Sequence, residues 1–384
     1  MLAIHVEGEA DGQLNPGDFL EFYGERNDGK LDVQLYKDPT HHINPYYSNY
    51  TDSAAYFLTW SSAPGNRMGT INPDPSGLTP ETYHKAKSSP FNLKDLSATA
   101  VLAPLGWPNQ YSRGQRYSAE ADNQFSWGDE AEGWGFVVTP GNSTNPRNYR
   151  LDSLVNIPFG ADTFGLPKPT IKLVFTGGSE TIHKMDIYVG QGTNLAQNRR
   201  IAADVTFGAW NAITLNYTLN FKDILKTNGA FLSSLVIQVV PKNYVGGQRD
   251  RVRFIVAELT YPQKFDLAGK PRMLYPDPAK PVSLFQITNP PADAIAYDLS
   301  NLQNISRITG TVNGNQETFV FNNNTGAAEP RLYVASGSSY LTPASARPVT
   351  FANISAADRN YIIISHKDLM QPTGSSSNPV QDYA

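Results

Sequence analysis

Short segments in which apolar and polar residues alternate run along most of the chain. In HKMDIYV, Met185, Ile187 and Val189 alternate with polar or amphipathic side chains. Successive side chains of a strand point to opposite faces, so the pattern predicts a strand with one buried face and one solvated face. Several such segments follow one another between about residues 84 and 265, with no helical segments alternating between them. This predicts a two-sheet antiparallel sandwich of jelly-roll type.

The segments outside this range divide the rest of the chain into three further parts. Residues 1–83 are predicted to form an N-terminal β-region, with a hairpin that begins at residues 2–6 and a later strand from Ala54 to Trp60. Residues 84–270 are then the jelly roll, and residues 271–355 are a smaller, immunoglobulin-like sandwich. In residues 356–384 the unbroken apolar run YIII is typical of a strand buried on both faces, which predicts the start of a truncated α/β domain.

Composition supports a mostly β fold and narrows the range of partners. Charged residues make up only 17%, and Gly (30), Pro (28), Tyr (20) and Phe (18) are plentiful, as in proteins with many short strands and turns. The 31 basic and 35 acidic residues give a net charge of -4, which argues against nucleic acid as a partner. No apolar run reaches the roughly 18 residues of a transmembrane segment. We expect the chain to be part of a longer protein, with a secretion signal elsewhere and Met1 an internal residue.

The usual motifs of nucleotide-binding and hydrolytic proteins are not found in this sequence. GxxxxGK[ST], GxGxxG, GxSxG and HExxH are all missing, and VGQGTNLA at residues 189–196 is best explained as a hairpin turn between strands. His41 and His42 are adjacent, and if they lie on a strand they point to opposite faces, so they make a poor metal clamp. The chain has no cysteine, which excludes disulfides, zinc-thiolate sites and a cysteine nucleophile within these residues.

A cluster of carboxylates between two tryptophans suggests a carbohydrate site. Asp129, Glu130 and Glu132 lie between Trp127 and Trp134 in SWGDEAEGWG. Carboxylates beside aromatic rings are compatible with a glycosidase site or a sugar-binding platform. An acidic turn with tryptophans that fill the sandwich is the alternative that we favour, because a glycosidase places its two carboxylates on opposite sides of the scissile bond.

The segment EGEADGQLNPGD, residues 7–18, has the spacing of a twelve-residue calcium loop. Its Gly12 falls at the sharp turn, and a hard cation needs six to eight oxygens converging from one tight loop. The alternative is a polar hairpin turn, because the flanking segments resemble strands. The residues with oxygen ligands at the required positions are Glu7, Glu9, Asp11, Gln13, Asn15 and Asp18.

Three stretches together resemble the gingipain-like cysteine peptidases of Bacteroidota, a family that includes sortase-like surface peptidases of type IX secretion. Residues 7–60, with the blocks ADGQLNPGDFLEFYG and LYKDPTHHINPYYSNYTD, are similar to the region that precedes the family's catalytic domain. AEGWG at residues 131–135 is similar to a short motif of its jelly-roll segment, and AADRNYIIISHKDLM at residues 356–370 resembles the first strand of its caspase-like domain. The likeness covers essentially the whole chain and is weaker in the middle.

The resemblance implies a non-catalytic scaffold or substrate-positioning portion of a secreted cysteine peptidase that processes proteins exported by type IX secretion. It implies an extracellular or outer-membrane-surface location in a Gram-negative bacterium. The implied partners are the downstream peptidase domain and secreted protein substrates or surface glycans. The family's catalytic cysteine and histidine lie beyond the first strand of that domain, so His366 takes neither role, and residues 1–384 alone are expected to be inactive.

Two other functions stay open from the sequence. A carbohydrate-binding module would expose coplanar aromatic rings, for which the candidates are Trp107, Trp127, Trp134 and Trp210. A glycosidase that uses Asp129 and Glu132 is the third possibility.

Overall fold

The structure is a computed structural model. It describes residues 1–92 except 37–38, 47, 49–50, 52, 60–61, 64 and 89–90; the short strands at 110–112, 132–134 and 136–138; and residues 147–350 except 159, 178–180, 209–210, 225–233, 243, 246–247, 251, 324–325, 328 and 338–339. The chain divides into two compact units, Met1–Ser339 and Tyr340–Ala384. In the second unit, the described residues 340–350 form no helix or strand.

The described part is mostly β. Its first strands are β1 (Ile4–Val6), β2 (Leu20–Phe22), β3 (Gly69–Ile71), β4 (His84–Lys87), β5 (Phe91–Asn92), β6 (Gln110–Ser112), β7 (Glu132–Trp134), β8 (Phe136–Val138), β9 (Arg147–Asp152), β10 (Thr170–Gly177), β11 (Ile182–Gly190) and β12 (Asn198–Gly208). The later strands are β13 (Ala212–Thr218), β14 (Ser234–Pro241), β15 (Tyr244–Val245), β16 (Gln248–Arg249), β17 (Val252–Gln263), β18 (Arg272–Leu274), β19 (Val282–Thr288), β20 (Ala294–Asp298), β21 (Ser306–Thr309), β22 (Thr311–Asn313), β23 (Gln316–Asn322) and β24 (Leu332–Ser336).

Helical structure is short wherever the chain is described. The α-helix α1 spans Phe221–Ile224. Short 3-10 helices occur at Glu9–Asp11, Lys30–Leu35, Pro39–His41, Gly160–Thr163 and Leu195–Gln197. The framework is therefore built from strands.

Two sheets form the large sandwich. Sheet A has the order β13-β10-β17-β4, with β5 and β8 also paired to β17, and sheet B has the order β12-β11-β14-β9. All these pairs are antiparallel. Alternate side chains of the two sheets meet in one core, as the strand period requires, and in it Phe175 stacks on Phe254 at 4.7 Å between ring centroids.

Two smaller sheets form the small sandwich. Sheet C has the order β18-β24-β20-β21-β3, and sheet D has the order β19-β23-β22. Phe285, Phe319 and Phe321 from sheet D pack against Ala296 and Val334 from sheet C in a second buried core. The expected antiparallel sandwiches are therefore present, with the exception that β3 joins β21 in parallel.

Residues 1–83 pack against both sandwiches. Strand β3, from this region, is an outer strand of sheet C, so the small sandwich includes a strand from residues 69–71. Ala3 and Met68 pack with Leu299 and Ile305 in a separate buried cluster. The boundaries at residues 84, 271 and 356 stay predictions, and residues 356–384 lie outside the described part of the chain.

One predicted strand is wrong in the described residues. Residues 53–59 have no regular structure, although the sequence predicts a strand from Ala54 to Trp60. The Tyr56 hydroxyl there accepts a hydrogen bond from the Glu25 backbone N–H and donates one to the Glu25 carbonyl oxygen, each at 2.7 Å, which ties the segment to the turn after β2 instead of to a sheet.

Candidate functional site

The candidate calcium loop connects β1 to β2, which pair as the predicted hairpin with Ile4 opposite Phe22. Asp11 accepts hydrogen bonds from the Gln13 backbone N–H at 2.9 Å and from the Asn15 amide at 2.7 Å. Asp18 accepts from the Asn15 backbone N–H at 2.6 Å. Such bonds are typical of polar turns, because a short carboxylate can replace a backbone acceptor. Asp11, Asn15 and Asp18 are therefore brought together at one point of the loop.

The two glutamates of the loop contact basic side chains outside it. Glu9 Oε2 lies 2.7 Å from Arg67 Nε, and Glu7 Oε2 lies 3.1 Å from His5 Nε2. Within the described residues no three His, Cys, Asp or Glu side chains are arranged to hold a metal. Asp11, Asn15 and Asp18 already lie close together and could supply three ligands to a calcium ion. Glu9 could bind the same ion only if its contact with Arg67 were broken. The calcium site stays a prediction.

The carboxylate and tryptophan cluster lies largely outside the described residues. Trp107, Trp127, Asp129, Glu130 and Trp210 fall there, so no exposure can be assigned to them. For Glu132 and Trp134 the structure gives backbone only, in β7, which pairs with β6. The glycosidase and tryptophan-platform hypotheses therefore stay predictions.

His41 and His42 do not lie on a strand. Pro39–His41 is a 3-10 turn, and His42 follows it, with its ring centroid 5.2 Å from that of Tyr36. Burial lowers the pKa of His42, although the carboxylates of Asp32 and Asp28 act against this effect. The geometric argument against a histidine clamp, which assumed a strand, therefore does not apply.

Two ion pairs, one largely buried and one half-buried, bind the N-terminal region to the small sandwich. Glu21 Oε2 lies 3.9 Å from Arg307 Nη2, and both side chains are largely buried. Glu25 Oε1 accepts a hydrogen bond at 3.2 Å from Arg331, which also donates to the Leu299 carbonyl oxygen at 3.0 Å. Both arginines belong to the small sandwich and both glutamates to the first 25 residues. These four side chains are named the hairpin clamp.

A second contact joins the N-terminal region to the large sandwich. Ile43 and Tyr46, from the HHINPYYS block, pack on the outer face of sheet A over Val174, Ile255 and Val256. This contact is named the sheet A strap. It explains why β17 is buried on both faces, although an antiparallel strand with one solvated face would alternate.

A polar cluster lies where the strap and the two sandwiches meet. The Tyr46 hydroxyl donates to Glu258 Oε2 at 2.6 Å, and burial, followed by this hydrogen bond, raises the tyrosine pKa. Lys87 Nζ lies 2.5 Å from Glu329 Oε1 and 4.9 Å from the centroid of the Tyr275 ring. These residues come from the strap, from sheet A and from the small sandwich, so all three parts are held at one junction.

A small cavity lies at this junction, and His84 is the most deeply buried titratable residue that lines it. Its Nδ1 faces the Lys85 carbonyl oxygen at 2.9 Å, which places the proton on Nδ1, and Nε2 has no hydrogen-bond partner among the described protein atoms. Burial lowers the His84 pKa to about 4, and the charge of Arg272 adds to this effect. The cavity, lined also by Tyr83 and Tyr275, measures about 30 Å³. It has room for little more than one water molecule and is too small for a substrate.

His183 and Asp250 form a pair that the sequence gives no means of finding. The imidazole Nδ1 contacts an Asp250 carboxylate oxygen, and their side chains are 0% and 1% exposed. The Asp250 carboxylate also accepts from the Lys184 backbone N–H at 3.3 Å. A histidine and an aspartate of this kind occur in hydrolytic triads. Because neither side chain reaches solvent, we assign the pair to structure.

A row of polar side chains crosses the outer face of sheet B. Asn148, Gln238, Tyr188 and Arg200 stand opposite one another on four neighbouring strands. Side chains paired across neighbouring strands share a face, and the opposite face of sheet B fills the core. We call these four residues the sheet B row.

Comparisons with known proteins give weak likenesses in structure. No protein-family model and no curated protein matches the chain. Among solved structures, the chain is similar to dimeric latent PorU from Porphyromonas gingivalis, with 11% identity, a TM-score of 0.40, and coverage of 70% of this chain and 22% of that one. The chain therefore spans about a fifth of that protein's length.

Two further structures have lower TM-scores. The chain is similar to the xylan-binding module CBM15 at 10% identity and a TM-score of 0.23, covering 46% of this chain and 99% of that one. It is also similar to a protein in the structure of infectious bursal disease virus, Gx strain, at 10% identity and a TM-score of 0.23, covering 75% of this chain and 54% of that one. All three TM-scores lie below 0.5, so no argument about function is based on them.

None of the helices that the structure describes combines the length and apolar composition of a membrane-spanning segment.

Proposed function

We propose that this chain is the non-catalytic scaffold of a secreted gingipain-like cysteine peptidase, and that it positions the peptidase domain and its protein substrates. Proteins exported by type IX secretion are the proposed substrates, and the bacterial surface is the proposed location. The resemblance of the blocks at residues 7–60 and 356–370 supports this proposal. The chain has no cysteine, so the peptidase chemistry of such an enzyme would belong to another part of it.

The observation that carries the scaffold role is the way in which residues 1–83 bind both sandwiches. The hairpin clamp contacts sheet C, and the sheet A strap contacts the large sandwich. One segment that is bound to two domains restricts their relative motion, because moving either domain would break buried contacts. A platform of fixed geometry is what a substrate-positioning region needs.

Calorimetry of the full 384-residue chain tests the scaffold role. We expect the two sandwiches to unfold in one cooperative transition, because the clamp and the strap couple them. A double variant, Arg307→Ala with Arg331→Ala, should split this transition into two or broaden it. A matched variant of exposed arginines, Arg150→Ala with Arg200→Ala, should leave a single transition. Two well-separated transitions in the unmodified chain would contradict the proposal.

A carbohydrate-binding module is the second candidate function, and the sheet B row is the observation that favours it. The row places the Asn148 amide at one end and the Tyr188 ring and Arg200 guanidinium at the other, with the buried Gln238 between them. Flat faces that combine hydrogen-bonding groups with an aromatic ring suit sugars, whose rings have apolar faces and hydroxyl edges. Affinity electrophoresis of the full chain in gels that contain polysaccharides tests this function.

A further inference from the structure

His84 lies where the buried cores of the two sandwiches meet. On β4 it stands opposite Gln263 of β17, and the next pair on the same face, Ala86 with Tyr261, belongs to the core of the large sandwich. On its other side, the imidazole centroid lies 5.2 Å from that of Phe265, which belongs to the core of the small sandwich. We call this packing of His84 between Gln263 and Phe265 the sandwich joint.

The hydrogen bonds of the sandwich joint suit a neutral imidazole. His84 is 2% exposed, and its Nδ1 donates to the Lys85 carbonyl oxygen at 2.9 Å, whereas Nε2 has no partner among the described protein atoms. Gln263 Nε2 donates to the Val155 carbonyl oxygen at 2.9 Å, and Gln263 Oε1 accepts no hydrogen bond from the described atoms. A second proton on the ring would therefore have at best a neutral amide oxygen as acceptor, which does not compensate a buried charge.

The charged groups that face His84 do not neutralise a second positive charge in the joint. Arg272, from β18, is a cation whose charge acts against protonation of the ring. On the cavity side the Glu81 carboxylate already pairs with Lys280 at 2.5 Å, and Asp277 accepts from the Ala279 backbone N–H at 3.0 Å. The uncharged side chains around the ring are Tyr83, Tyr261, Gln263, Phe265, Tyr275 and Phe285.

Protonation of His84 is therefore costly in the folded protein and not in the unfolded chain. Burial lowers the His84 pKa from its ordinary value of 6.5 to about 4, and the charge of Arg272 adds to this effect. A neutral folded-state imidazole contributes stability above pH 6.5, and this contribution is lost as the pH falls from 6.5 to about 4. Because His84 touches both cores, the loss acts on the contact between the sandwiches.

We propose that His84 is an acid-sensitive switch in the sandwich joint, which couples the two sandwiches while the imidazole is neutral and uncouples them when it is protonated. The added proton goes to Nε2 and gives the ring a positive charge beside Arg272. The charged ring leaves the joint for water, and its contact with Phe265 is lost. This inference rests on the coupling of the sandwiches that the scaffold function requires, and it makes the rigidity of the scaffold dependent on pH.

Calorimetry and urea unfolding of the full chain between pH 7.5 and pH 4.5 test the inference. We expect one transition at pH 7.5, which splits in the unmodified chain as the pH falls below 6.5. His84→Asn keeps an N–H for the Lys85 carbonyl oxygen but takes up no proton, so it should keep one transition. Relative to this variant, the unfolding equilibrium constant of the unmodified chain should rise by up to about tenfold per pH unit, as expected for one proton.

Two further variants separate the charge from the packing. His5→Asn makes the same substitution at an imidazole that lies 3.1 Å from the Glu7 carboxylate, and it should respond to acid like the unmodified chain. Arg272→Gln removes the neighbouring cation and leaves His84 able to take up a proton. Its response to acid should be smaller than that of the unmodified chain.

The contrary results differ in meaning. A transition that is already split at pH 7.5 would overturn the scaffold function and the inference together. One transition at pH 7.5, followed by equal responses to acid in the unmodified chain and in His84→Asn, would leave the scaffold function standing and overturn the inference. If His84→Asn does not fold at pH 7.5, Arg272→Gln decides, and a response as large as that of the unmodified chain would overturn the inference.

Discussion

At the scale of single residues, the described structure contains buried ionisable groups in two different situations. His183 and Asp250 satisfy each other inside the large sandwich. Glu317 is also buried, and its burial, followed by repulsion from the Asp293 carboxylate, raises its pKa. The second situation destabilises the fold at neutral pH, because the charged carboxylate is buried beside another carboxylate.

Replacing Glu317 with glutamine should therefore stabilise the protein at neutral pH. A carboxyl whose folded-state pKa is raised is neutral in both states below its ordinary value of 4.5, and it costs stability as pH rises through the folded-state pKa. We expect Glu317→Gln to have a higher melting temperature than the unmodified chain at pH 7, with the difference closing below about pH 4.5.

The matched control for this prediction is Glu329→Gln. Glu329 is exposed and paired with Lys87, so its replacement should lower the stability slightly or leave it unchanged. A melting temperature that is unaffected by Glu317→Gln, or lowered at pH 7, would mean that the folded structure stabilises the charged carboxylate.

The buried pair gives the opposite prediction. Asp250→Ala leaves the His183 imidazole without its carboxylate in a site that water does not reach, and the loss of one partner of a buried pair typically costs about 3–5 kcal/mol. We expect a loss of this size in chemical denaturation. Asp162→Ala breaks an exposed pair with Lys264 and should cost less than about 1 kcal/mol. Equal, small losses in the two variants would show that the His183–Asp250 contact is not formed.

At the scale of elements, regular alternation was the most reliable signal. Met185, Ile187 and Val189 do face the core, as their spacing predicts, and the hairpin at the N-terminus forms. The pairing of β11 with β12 is irregular near Asp204, a non-glycine residue with φ of 53°. No pattern in the sequence predicts this bulge, because a bulge depends on both strands.

Pairing between distant segments could not be predicted. Strand β3 joins β21 across more than 230 residues, and the sheet A strap covers β17 from a similar distance. The local sequence does not predict which distant segments pair, since such contacts depend on the surfaces that both sandwiches leave uncovered. The same reason explains the wrong strand at residues 54–60, where Tyr56 bonds to Glu25. The sequence does not predict the sheet B row, because its four residues come from four different strands and none of these strands has a distinctive pattern by itself.

The strap should contribute measurably to stability. A double variant, Ile43→Ala with Tyr46→Ala, uncovers Val174, Ile255 and Val256, and the transfer of this apolar surface to water should cost about 2–4 kcal/mol in denaturant unfolding. A double replacement of the exposed Phe57 and Leu58 by alanine removes similar apolar volume from a segment outside any sheet and should cost much less. Similar costs in the two variants would mean that the strap does not cover sheet A in solution.

Calorimetric titration decides whether the loop at residues 7–18 binds calcium. If it does, the cluster at Asn15 predicts that Asp11→Asn and Asp18→Asn each weaken binding, and that Arg67→Ala, which frees Glu9, strengthens it. An Asp74→Asn variant changes an exposed carboxylate elsewhere and serves as control. The absence of binding heat, together with a melting temperature that a chelator leaves unchanged, would identify the loop as a polar turn alone.

At the scale of the whole molecule, the compact unit Met1–Ser339 contains both sandwiches and the segment that binds them. Deleting residues 356–384 should therefore leave the thermal melt nearly unchanged, because the buried cores described above all lie before residue 340. The comparison is made by calorimetry of the two chains under one set of conditions. A collapse of the melting temperature on deletion would show that the closing segment is part of a sandwich.

We propose above that this unit is a scaffold for a peptidase domain. The most direct measurement is to isolate the native protein from the cells that make it, using antibodies to residues 1–339, and to treat it with a covalent probe for cysteine peptidases. We predict that the polypeptide recognised by the antibodies is longer than 384 residues and carries the probe. A native polypeptide that contains these residues, has no reactive cysteine and acquires no label would contradict the account.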